Sequence, residues 1–325
     1  MFMTKTLKAI NWNSVSCKLY DDLYTLQAER FWLPNEIPVS NDKDVWNELE
    51  PKIKETYEHI LAGLTLLDTN QTTGINKIAE RSDNEYIQSL LALFGGFESI
   101  HARSYSTIFQ TLVSPKRIDE LFVWVEQTKE LQDKLKRIMK EYNQDDSLFM
   151  SYVGALCLEG ICFYSGFFLP LYLAGQGKMV HSGEIINLIM RDEEIHTLAC
   201  GKFAQDLFNQ MKADEKQHFF NLAISMIEEI YEAELEYSHL LYDELGLFDE
   251  VKTYIQFNVD YALGCLGFEP MFYVTKDDIH PVVANGYSVK TKNHDFFSAL
   301  KGNGYIKSTK IESLSDDDFK FEGLE

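Results

Sequence analysis

The chain has 325 residues, and 45% of them are hydrophobic, which is enough to bury a sizeable core in one or two domains. Its 51 acidic residues outnumber its 30 basic residues and give a net charge of −21, which argues against nucleic acid or an anionic membrane as a partner. The five cysteines are odd in number and form no CxxC pair, a pattern typical of buried thiols in a reducing cytoplasm rather than of disulfides.

The first residues, MFMTKTLKAINWN, lack the long apolar stretch of a secretory signal peptide. Beyond them, a helical spacing of apolar residues begins near residue 44 and continues to Asp68. The residues of this first stripe step by three and four: Leu49, Ile53, Tyr57, Ile60, Leu64. Asp68 is therefore predicted to point toward the core on the same helical face as these apolar side chains.

Further helices are predicted at residues 84–111, 116–142, 147–174, 183–210, 214–242 and 247–264. Runs rich in alternating β-branched residues are almost absent. The chain is therefore predicted to be all-α, a large helical bundle.

Residues 147–177 contain a single charged side chain, Glu159. The run is long enough to cross a bilayer, but Glu159 and Pro170 interrupt it and no basic cluster comes immediately before it, so we predict a core helix and no membrane partner. A buried carboxylate without a partner usually takes up a proton, because the charge has lost its water. Some feature of the fold must therefore compensate Glu159.

Four Glu-x-x-His tetrads occur in the chain. Two have polar or solvated flanks and are predicted to lie on the surface: Glu215 with His218, and Glu236 with His239. The other two have apolar residues on the same face: Glu98 with His101, and Glu193 with His196. Three residues advance a helix by about 300°, so the Glu and the His of one tetrad lie on the same helical face and can bind the same ion. A single tetrad of this kind is also what an ordinary surface ion pair looks like.

The candidate ligands form a pseudo-repeat, in which Asp68 precedes Glu98 and Glu159 precedes Glu193 by similar intervals. Each half supplies one carboxylate from one helix and Glu-x-x-His from the next, the pattern of ferritin-like di-iron and di-manganese sites. The four negative charges of the carboxylates balance the four positive charges of two divalent ions. Oxygen ligands with one imidazole for each metal suit Mn or Fe better than a structural zinc ion. We therefore predict two Mn or two Fe ions, which would compensate Glu159.

Tyr105 lies on the helical face of Glu98 and His101, so its phenol is predicted to lie close to the metals. The alternative is a core tyrosine with a hydrogen-bonded hydroxyl. Three apolar residues have the spacing to line a dry pocket around it, although such a stripe is also typical of plain core: Phe163, Phe167, Ile189.

Motifs that cover nearly the whole chain then point to one family: INWN, FWLPNEIPVSND, LAGLTLLDTNQ, ESIHARSYS, LEGICFYSGFFLPLYLAGQGK, IMRDEEIH, LGFEPMF, TKNHDFFSALKGNGY. The chain resembles the small, radical-generating subunit of class I ribonucleotide reductase, most closely the class Ib form that uses manganese with a flavodoxin-like activating protein. The resemblance implies a ferritin-like fold, a homodimer and a separate large catalytic subunit that reduces ribonucleotides to deoxyribonucleotides.

The resemblance also implies residue roles. The metal ligands would be Asp68, Glu98 and His101 for the first ion, and Glu159, Glu193 and His196 for the second. Tyr105 would carry a stable tyrosyl radical. Trp32 of the FWLP motif and Asp192 of the RDE motif would link the metal-bound histidine to the subunit surface, and Tyr305 would be a relay tyrosine near the chain end.

The end of the chain is polar and acidic and lacks an amphipathic period. We therefore predict a ferritin-like domain at residues 1–302 and a flexible tail at residues 303–325, which by resemblance docks on the large subunit through Phe319 and Phe321. The chain departs from the class Ib pattern at Thr197, where many members have Gly, and in its ending FKFEGLE.

Three other functions are weighed against this hypothesis. Iron storage or ferroxidase activity explains the ligands but leaves Tyr105, Trp32 and the acidic tail without roles. A dimetal oxygenase needs an open cavity at the metals, whereas the apolar residues predict a filled one. A purely structural helical protein has no use for Asp68 and Glu159 pointing inward.

Overall fold

The computed structural model describes residues 9–143 and 147–286, and within these ranges every regular element is a helix. The chain divides into two units, one of residues 19–289 and one of residues 1–18 with residues 290–325. The candidate metal ligands, Tyr105, Trp32 and Asp192 belong to the first unit. Tyr305, Phe319, Phe321 and the predicted tail lie outside the described residues.

The α-helices of the described residues are α1 (Lys18–Glu29), α2 (Lys43–Glu48), α3 (Pro51–Arg81), α4 (Glu85–Leu112), α5 (Pro115–Gln127), α6 (Lys129–Asn143), α7 (Leu148–Cys157), α8 (Tyr164–Gly175), α9 (Val180–Gln210), α10 (Ala213–Tyr242), α11 (Phe248–Leu266) and α12 (Pro281–Gly286). A π-helical segment, Leu158–Cys162, joins α7 to α8.

The long helices surround one interior. Helix α3 packs along α4, and α9 packs against α7 and α8, while contacts of α4 with α9 and of α3 with α7 and α8 join the two pairs. Helices α10 and α11 pack on each other, and α11 also packs on α8 and α9. The predicted all-α bundle is confirmed, with the ligand-bearing helices at its centre.

Two of the helix boundaries predicted in the first half of the chain need correction. Helix α3 begins at Pro51, and Leu49 has an extended backbone at the end of α2, so the first stripe starts one turn later than expected. The helix predicted at residues 116–142 is two helices, α5 and α6, separated at Thr128. Thr128 has an extended ψ of 104°, and its hydroxyl donates to the carbonyl of Trp124 at 2.7 Å. A hydroxyl that satisfies a helix-end carbonyl in this way favours termination.

The apolar run at residues 147–174, predicted as one helix, is interrupted by the π segment, which contains Glu159. This run is long and apolar enough to cross a membrane, but 94% of its most apolar stretch is buried inside the protein. It therefore forms the centre of the bundle, as a core segment should. Single π turns inside α-helices occur often at functional sites.

Helix α9 is capped by a residue far away in the sequence. The Asp42 carboxylate accepts hydrogen bonds from the backbone N–H groups of His181 at 3.2 Å and Ser182 at 2.7 Å, and from the Ser182 hydroxyl at 2.7 Å. Asp42 is only 3% exposed. An acidic group at this position satisfies helix N–H groups and complements the helix dipole.

Candidate metal centre

Six side chains with metal-binding atoms meet in the centre of the bundle, and all are completely buried. They come from α3, α4, the π segment and α9: Asp68, Glu98, His101, Glu159, Glu193, His196. The structure therefore brings together every residue that the spacing and the resemblance selected as a metal ligand.

The donor atoms form two overlapping groups, each within 4.8 Å of one another. The first group contains Asp68, Glu98, His101 and Glu193, and the second contains Glu98, Glu159, Glu193 and His196. Glu98 and Glu193 belong to both groups, so each is placed to reach two ions. Sequence spacing assigned each of them to one ion only.

Each histidine reaches across to the carboxylate of the other tetrad. His101 Nδ1 lies 2.9 Å from Glu193 Oε1, and His196 Nδ1 lies 2.8 Å from Glu98 Oε1. The Nδ1 atoms of both imidazoles therefore point into the carboxylate cluster. This arrangement links α4 and α9 through the site itself.

Two imidazoles cannot satisfy all the oxygens of four carboxylates, and both oxygens of Asp68 and Oε2 of Glu159 make no well-formed hydrogen bond among the described residues. Buried polar atoms of this kind are costly unless something satisfies them. Carboxylate oxygens with one imidazole for each ion match the preferences of Mn and Fe. The residues therefore fit a dinuclear Mn or Fe centre.

The carboxyl groups differ in their affinity for protons. Burial, reinforced by the neighbouring charge of Glu98, raises the pKa of both Asp68 and Glu159 well above the ordinary range. Burial also acts to raise the pKa of Glu98, but His101 and His196 lower it to about 2. Two positions at opposite ends of the cluster thus take up protons when no cation is bound, so metal binding is expected to displace protons.

Tyr105 lies on α4, one turn after His101, and is completely buried. Burial, followed by the charges of Asp68 and Glu193, raises the pKa of its phenol well above 10.0. A side-chain interaction of the hydroxyl with Asp68 acts in the same direction. Phe163, Phe167 and Ile189 are also fully buried, and the rings of Phe163 and Phe167 stack with centroids 5.9 Å apart.

Trp32 and Asp192 connect to the carboxylate and histidine cluster by hydrogen bonds. Trp32 Nε1 donates to Asp192 Oδ2 at 2.7 Å, and the same oxygen lies 3.2 Å from His101 Nε2. The Trp32 ring also stacks on the His101 ring with centroids 6.1 Å apart. Gln27 completes the arrangement because its Nε2 donates to Asp192 Oδ1 at 3.1 Å.

Three polar residues near the centre were missed by the sequence analysis: Gln27, Gln71, Tyr142. The amide of Gln71 donates to Glu159 Oε1, and Tyr142 Oη donates to Gln71 Oε1 at 2.9 Å. Gln71 follows Asp68 by three residues on α3, so the periodicity that selected Asp68 also places Gln71 on the inward face.

The two tetrads predicted to lie on the surface do so. Their residues are exposed: Glu215, His218, Glu236, His239. His239 Nδ1 is 2.9 Å from Asp243 Oδ1, and its ring stacks on Phe248, as is typical of a surface ion pair.

Thr197, the departure from the class Ib pattern, is buried against the π segment. A Cβ atom added to Gly160 would lie 2.8 Å from Thr197 Cγ2, so the side chain fills the space next to the residue after Glu159. The hydroxyl of Thr197 has no hydrogen-bond partner among the described residues.

Comparison with known proteins gives a consistent result. The family described as "Ribonucleotide reductase, small chain" matches residues 9–281. The chain is 45% identical to the ribonucleoside-diphosphate reductase subunit beta of Bacillus subtilis (strain 168), over 98% of both chains. It is 33% identical to the ribonucleoside-diphosphate reductase 2 subunit beta of Escherichia coli (strain K12), over 97% of this chain and 98% of the relative.

Among solved structures, the dimanganese(II)-NrdF of Streptococcus sanguinis is similar to this fold with a TM-score of 0.85 and 36% sequence identity. The similarity covers 87% of this chain and 100% of that protein. The buried carboxylate and histidine cluster, the all-α bundle and the matches over nearly the full length agree: the chain belongs to the family of ribonucleotide reductase small chains.

Proposed function

We propose that this chain stores a tyrosyl radical on Tyr105, beside a dinuclear metal centre, and passes it to the large subunit for the reduction of ribonucleotides. The observation that carries the proposal is the position of Tyr105. Its phenol is fully buried on the helix that supplies Glu98 and His101, and its pKa responds to the charge of Asp68. Family membership supports the homodimer and the large catalytic subunit as partners.

The proposed ligands are Asp68, Glu98 and His101 for one ion and Glu159, Glu193 and His196 for the other, with Glu98 and Glu193 close enough to serve both. When bound, Mn or Fe supplies the one-electron oxidising power that no amino-acid side chain has. We infer a manganese centre, because the similar protein of Streptococcus sanguinis is a dimanganese(II) NrdF. The flavodoxin-like activating protein is proposed from the resemblance to class Ib chains alone.

The protein's own contribution is to exclude water and control the proton of Tyr105. Because burial raises the pKa of the phenol well above 10.0, Tyr105 stays protonated at neutral pH, and its oxidation must remove a proton together with the electron. Phe163, Phe167 and Ile189 are proposed to form the dry surroundings in which the radical persists. All three side chains are fully buried, which supports this role.

The proposed route from the centre runs through His101, Asp192 and Trp32, which are joined by the hydrogen bonds at 3.2 and 2.7 Å. Beyond Trp32, we propose Tyr305 as the relay tyrosine and residues 303–325 as the segment that docks on the large subunit. The alternatives of iron storage and oxygenation assign no role to the Trp32 connection.

The test is Tyr105→Phe in the full-length protein, loaded with Mn or Fe and activated. The variant should retain two metal ions per chain but show no tyrosyl radical by electron paramagnetic resonance, because phenylalanine has no ionisable hydroxyl. Tyr57→Phe is the matched control, since Tyr57 is also a fully buried tyrosine but packs edge to face on Trp46. A full radical signal in Tyr105→Phe would exclude the assignment.

A further inference from the structure

A chain of two hydrogen bonds ends on the carboxylate of Glu159. Gln71, on α3, donates from Nε2 to Glu159 Oε1, and its own Oε1 accepts from Tyr142 Oη at 2.9 Å. Glu159 and Gln71 are completely buried and Tyr142 is 1% exposed. The three residues belong to the π segment, α3 and α6, so the chain crosses three elements.

The direction of these hydrogen bonds follows from the chemistry of the groups. When Glu159 binds a cation its carboxylate is ionised and only accepts, so the amide of Gln71 then presents its NH₂ group to Glu159 and its carbonyl to Tyr142. Burial, and to a smaller extent the charge of Glu159, raises the pKa of the Tyr142 phenol well above 10.0. Tyr142 is therefore a neutral phenol that donates its proton and holds the amide in one orientation.

The ring of Tyr142 lies in a slot that Gly74 leaves open. A Cβ atom on Gly74 would lie 2.7 Å from Tyr142 Cδ2, which is too close, whereas a Cβ atom on Gly154 would lie at an ordinary contact distance of 3.5 Å from Cε1. Gly74 is on α3, three residues after Gln71, and Gly154 is on α7, the helix before the π segment. The close approach at Gly74 lets the ring pack against α3 and keeps its hydroxyl within reach of Gln71.

The hydrogen bond from Gln71 fixes one of the two carboxylate oxygens of Glu159. Its Oε2 atom has no hydrogen-bond partner among the described residues and lies 3.6 Å from His196 Nδ1, inside the second donor group. Glu159 is also the proposed ligand on the π segment, whereas the other five are on α-helices. With Oε1 occupied by Gln71, Oε2 is the oxygen of Glu159 that remains free to bind a cation.

We propose that Gln71, held by Tyr142, is a positioning residue that orients the carboxylate of Glu159 toward the second metal ion. The proposal rests on the assignment of Glu159 as a ligand. Groups that hydrogen-bond to metal ligands commonly change metal affinity by about 10–100-fold when they are removed. Because Gln71 contacts Glu159 in this structure, its effect is expected at the site that contains Glu159.

The experiment is a titration of metal-free, full-length protein with Mn(II), in which free Mn(II) is measured by electron paramagnetic resonance. Gln71→Leu should weaken one of the two Mn(II) sites by about 10–100-fold and leave the other unchanged. Tyr142→Phe keeps the ring in its slot and removes only the hydroxyl, so it should weaken the same site by a smaller factor. Asn70→Leu is the matched control, because Asn70 donates within its own helix, to Leu66 O at 2.8 Å; both of its sites should be unchanged.

The proposal would be overturned if Gln71→Leu bound Mn(II) at each site as tightly as the wild type does. It would also be overturned if the substitution weakened both sites by the same factor. A lower unfolding temperature with unchanged Mn(II) binding would mark Gln71 as a structural residue only, and would also overturn it. If Gln71→Leu does not fold, Tyr142→Phe decides by the same criterion. Glu159→Ala tests the ligand assignment separately from the role of Gln71. If Glu159→Ala retains both ions, Glu159 is not a ligand. If Glu159→Ala loses one ion while Gln71→Leu binds both normally, only the role of Gln71 is refuted.

Discussion

Asp192 shows how one carboxylate can organise a metal-binding histidine. It accepts from Trp32 Nε1 at 2.7 Å and from Gln27 Nε2 at 3.1 Å, and it lies 3.2 Å from His101 Nε2. Because Asp192 accepts from Nε2 of the imidazole, the neutral ring has its lone pair on Nδ1, the atom that faces the carboxylate cluster. The hydrogen bond thus prepares His101 for a cation and joins it to Trp32.

This arrangement makes a prediction for Trp32→Phe. The phenyl ring fills most of the space but has no N–H group, so the connection to Asp192 is lost. Metal content and the Tyr105 radical should be retained, whereas turnover with the large subunit should fall by about 100-fold. Electron paramagnetic resonance and a ribonucleotide reduction assay measure the two properties separately.

The control for this prediction is Trp46→Phe. Trp46 is 7% exposed and packs edge to face on Tyr57, away from the Asp192 connection. Its variant should retain both the radical and turnover. If Trp32→Phe turned over as fast as this control, the proposed route would be wrong.

At the residue scale, the sequence singled out the carboxylates of Asp68 and Glu159 but not the amides of Gln27 and Gln71. Asp68 and Glu159 stood out in the sequence because a carboxylate on an apolar stripe needs compensation. Gln27 and Gln71 carry no charge that demands a partner. Their roles depend on Asp192 and Glu159, which are distant in the sequence and become neighbours only in the folded bundle.

The cap of α9 is an element-scale feature with a measurable consequence. Asp42→Ala removes the acceptor of three hydrogen bonds at the start of the helix that carries Glu193 and His196. The free energy of unfolding of the metal-free protein should fall by about 1–2 kcal/mol, measured by urea denaturation. Asp42→Asn keeps an acceptor oxygen and should lose less. An equal loss in both variants would contradict the capping explanation.

A buried ion pair joins three other elements. Lys134 on α6 donates to Glu234 on α10, and the Ser165 hydroxyl on α8 donates to the same carboxylate. Lys134 Nζ also lies 4.0 Å from the centroid of the Tyr237 ring. Burial raises the pKa of Glu234 above its ordinary value of 4.5, although Lys134 acts in the opposite direction.

Lys134→Met should therefore destabilise the protein by about 3–5 kcal/mol at neutral pH, because it leaves a buried carboxylate without its cation. The folded-state pKa of Glu234 should then rise further above 4.5. A raised pKa in the folded state does not lower the free energy of unfolding at a pH where Glu234 is protonated in both the folded and the unfolded protein. The loss of stability grows as the pH rises above the pKa of the unfolded state. The defect should accordingly be smaller at about pH 5 than at about pH 8, as measured by urea denaturation.

The double variant Lys134→Met with Glu234→Gln is the control for this pair. It removes both charges and should recover most of the lost free energy of unfolding, since a buried pair can be replaced more easily than it can be broken. A double variant as unstable as Lys134→Met alone would show that packing around Lys134, rather than the charge of Glu234, causes the loss.

At the element scale, apolar periodicity placed the long helices but not their interruptions. The break at Thr128 depends on a local competition for one carbonyl, and the π segment adds a wider turn without changing the apolar composition around Glu159. Glu234 lies on the buried stripe of α10, as Asp68 does on α3, so the same periodicity could have identified it. The cap by Asp42 is a contact over long sequence distance that no local pattern contains.

At the scale of the whole molecule, the packing of the bundle depends on the compensation of the buried carboxylates at its centre. Four buried carboxylates repel one another in a medium that screens charge poorly, and only cations or protons allow the surrounding helices to pack. This is why the meeting of these side chains could be predicted before the fold was seen: compensation of their charges requires the four elements to come together. Partner docking imposes no comparable demand on the core, so composition alone says little about it.

The tail prediction tests this separation between radical formation and turnover. Every proposed ligand, Tyr105 and Trp32 lie within the described residues before 287, whereas Tyr305 and the proposed docking residues follow Asn303. Deletion of residues 303–325 should therefore leave the metal content and the radical signal unchanged while turnover with the large subunit is lost. Tyr305→Phe in the full-length chain should still bind the large subunit but fail to turn over, because phenylalanine cannot relay a radical that needs a phenol.

A synthetic peptide of residues 303–325 provides the complementary measurement. If the tail supplies the docking contact, the peptide should compete with the full-length chain for the large subunit and inhibit turnover in a concentration-dependent manner. A scrambled peptide of the same composition should not inhibit, because charge alone does not specify the contact. Unchanged turnover in the deletion variant, together with a peptide that has no effect, would place the docking surface on the helical domain instead.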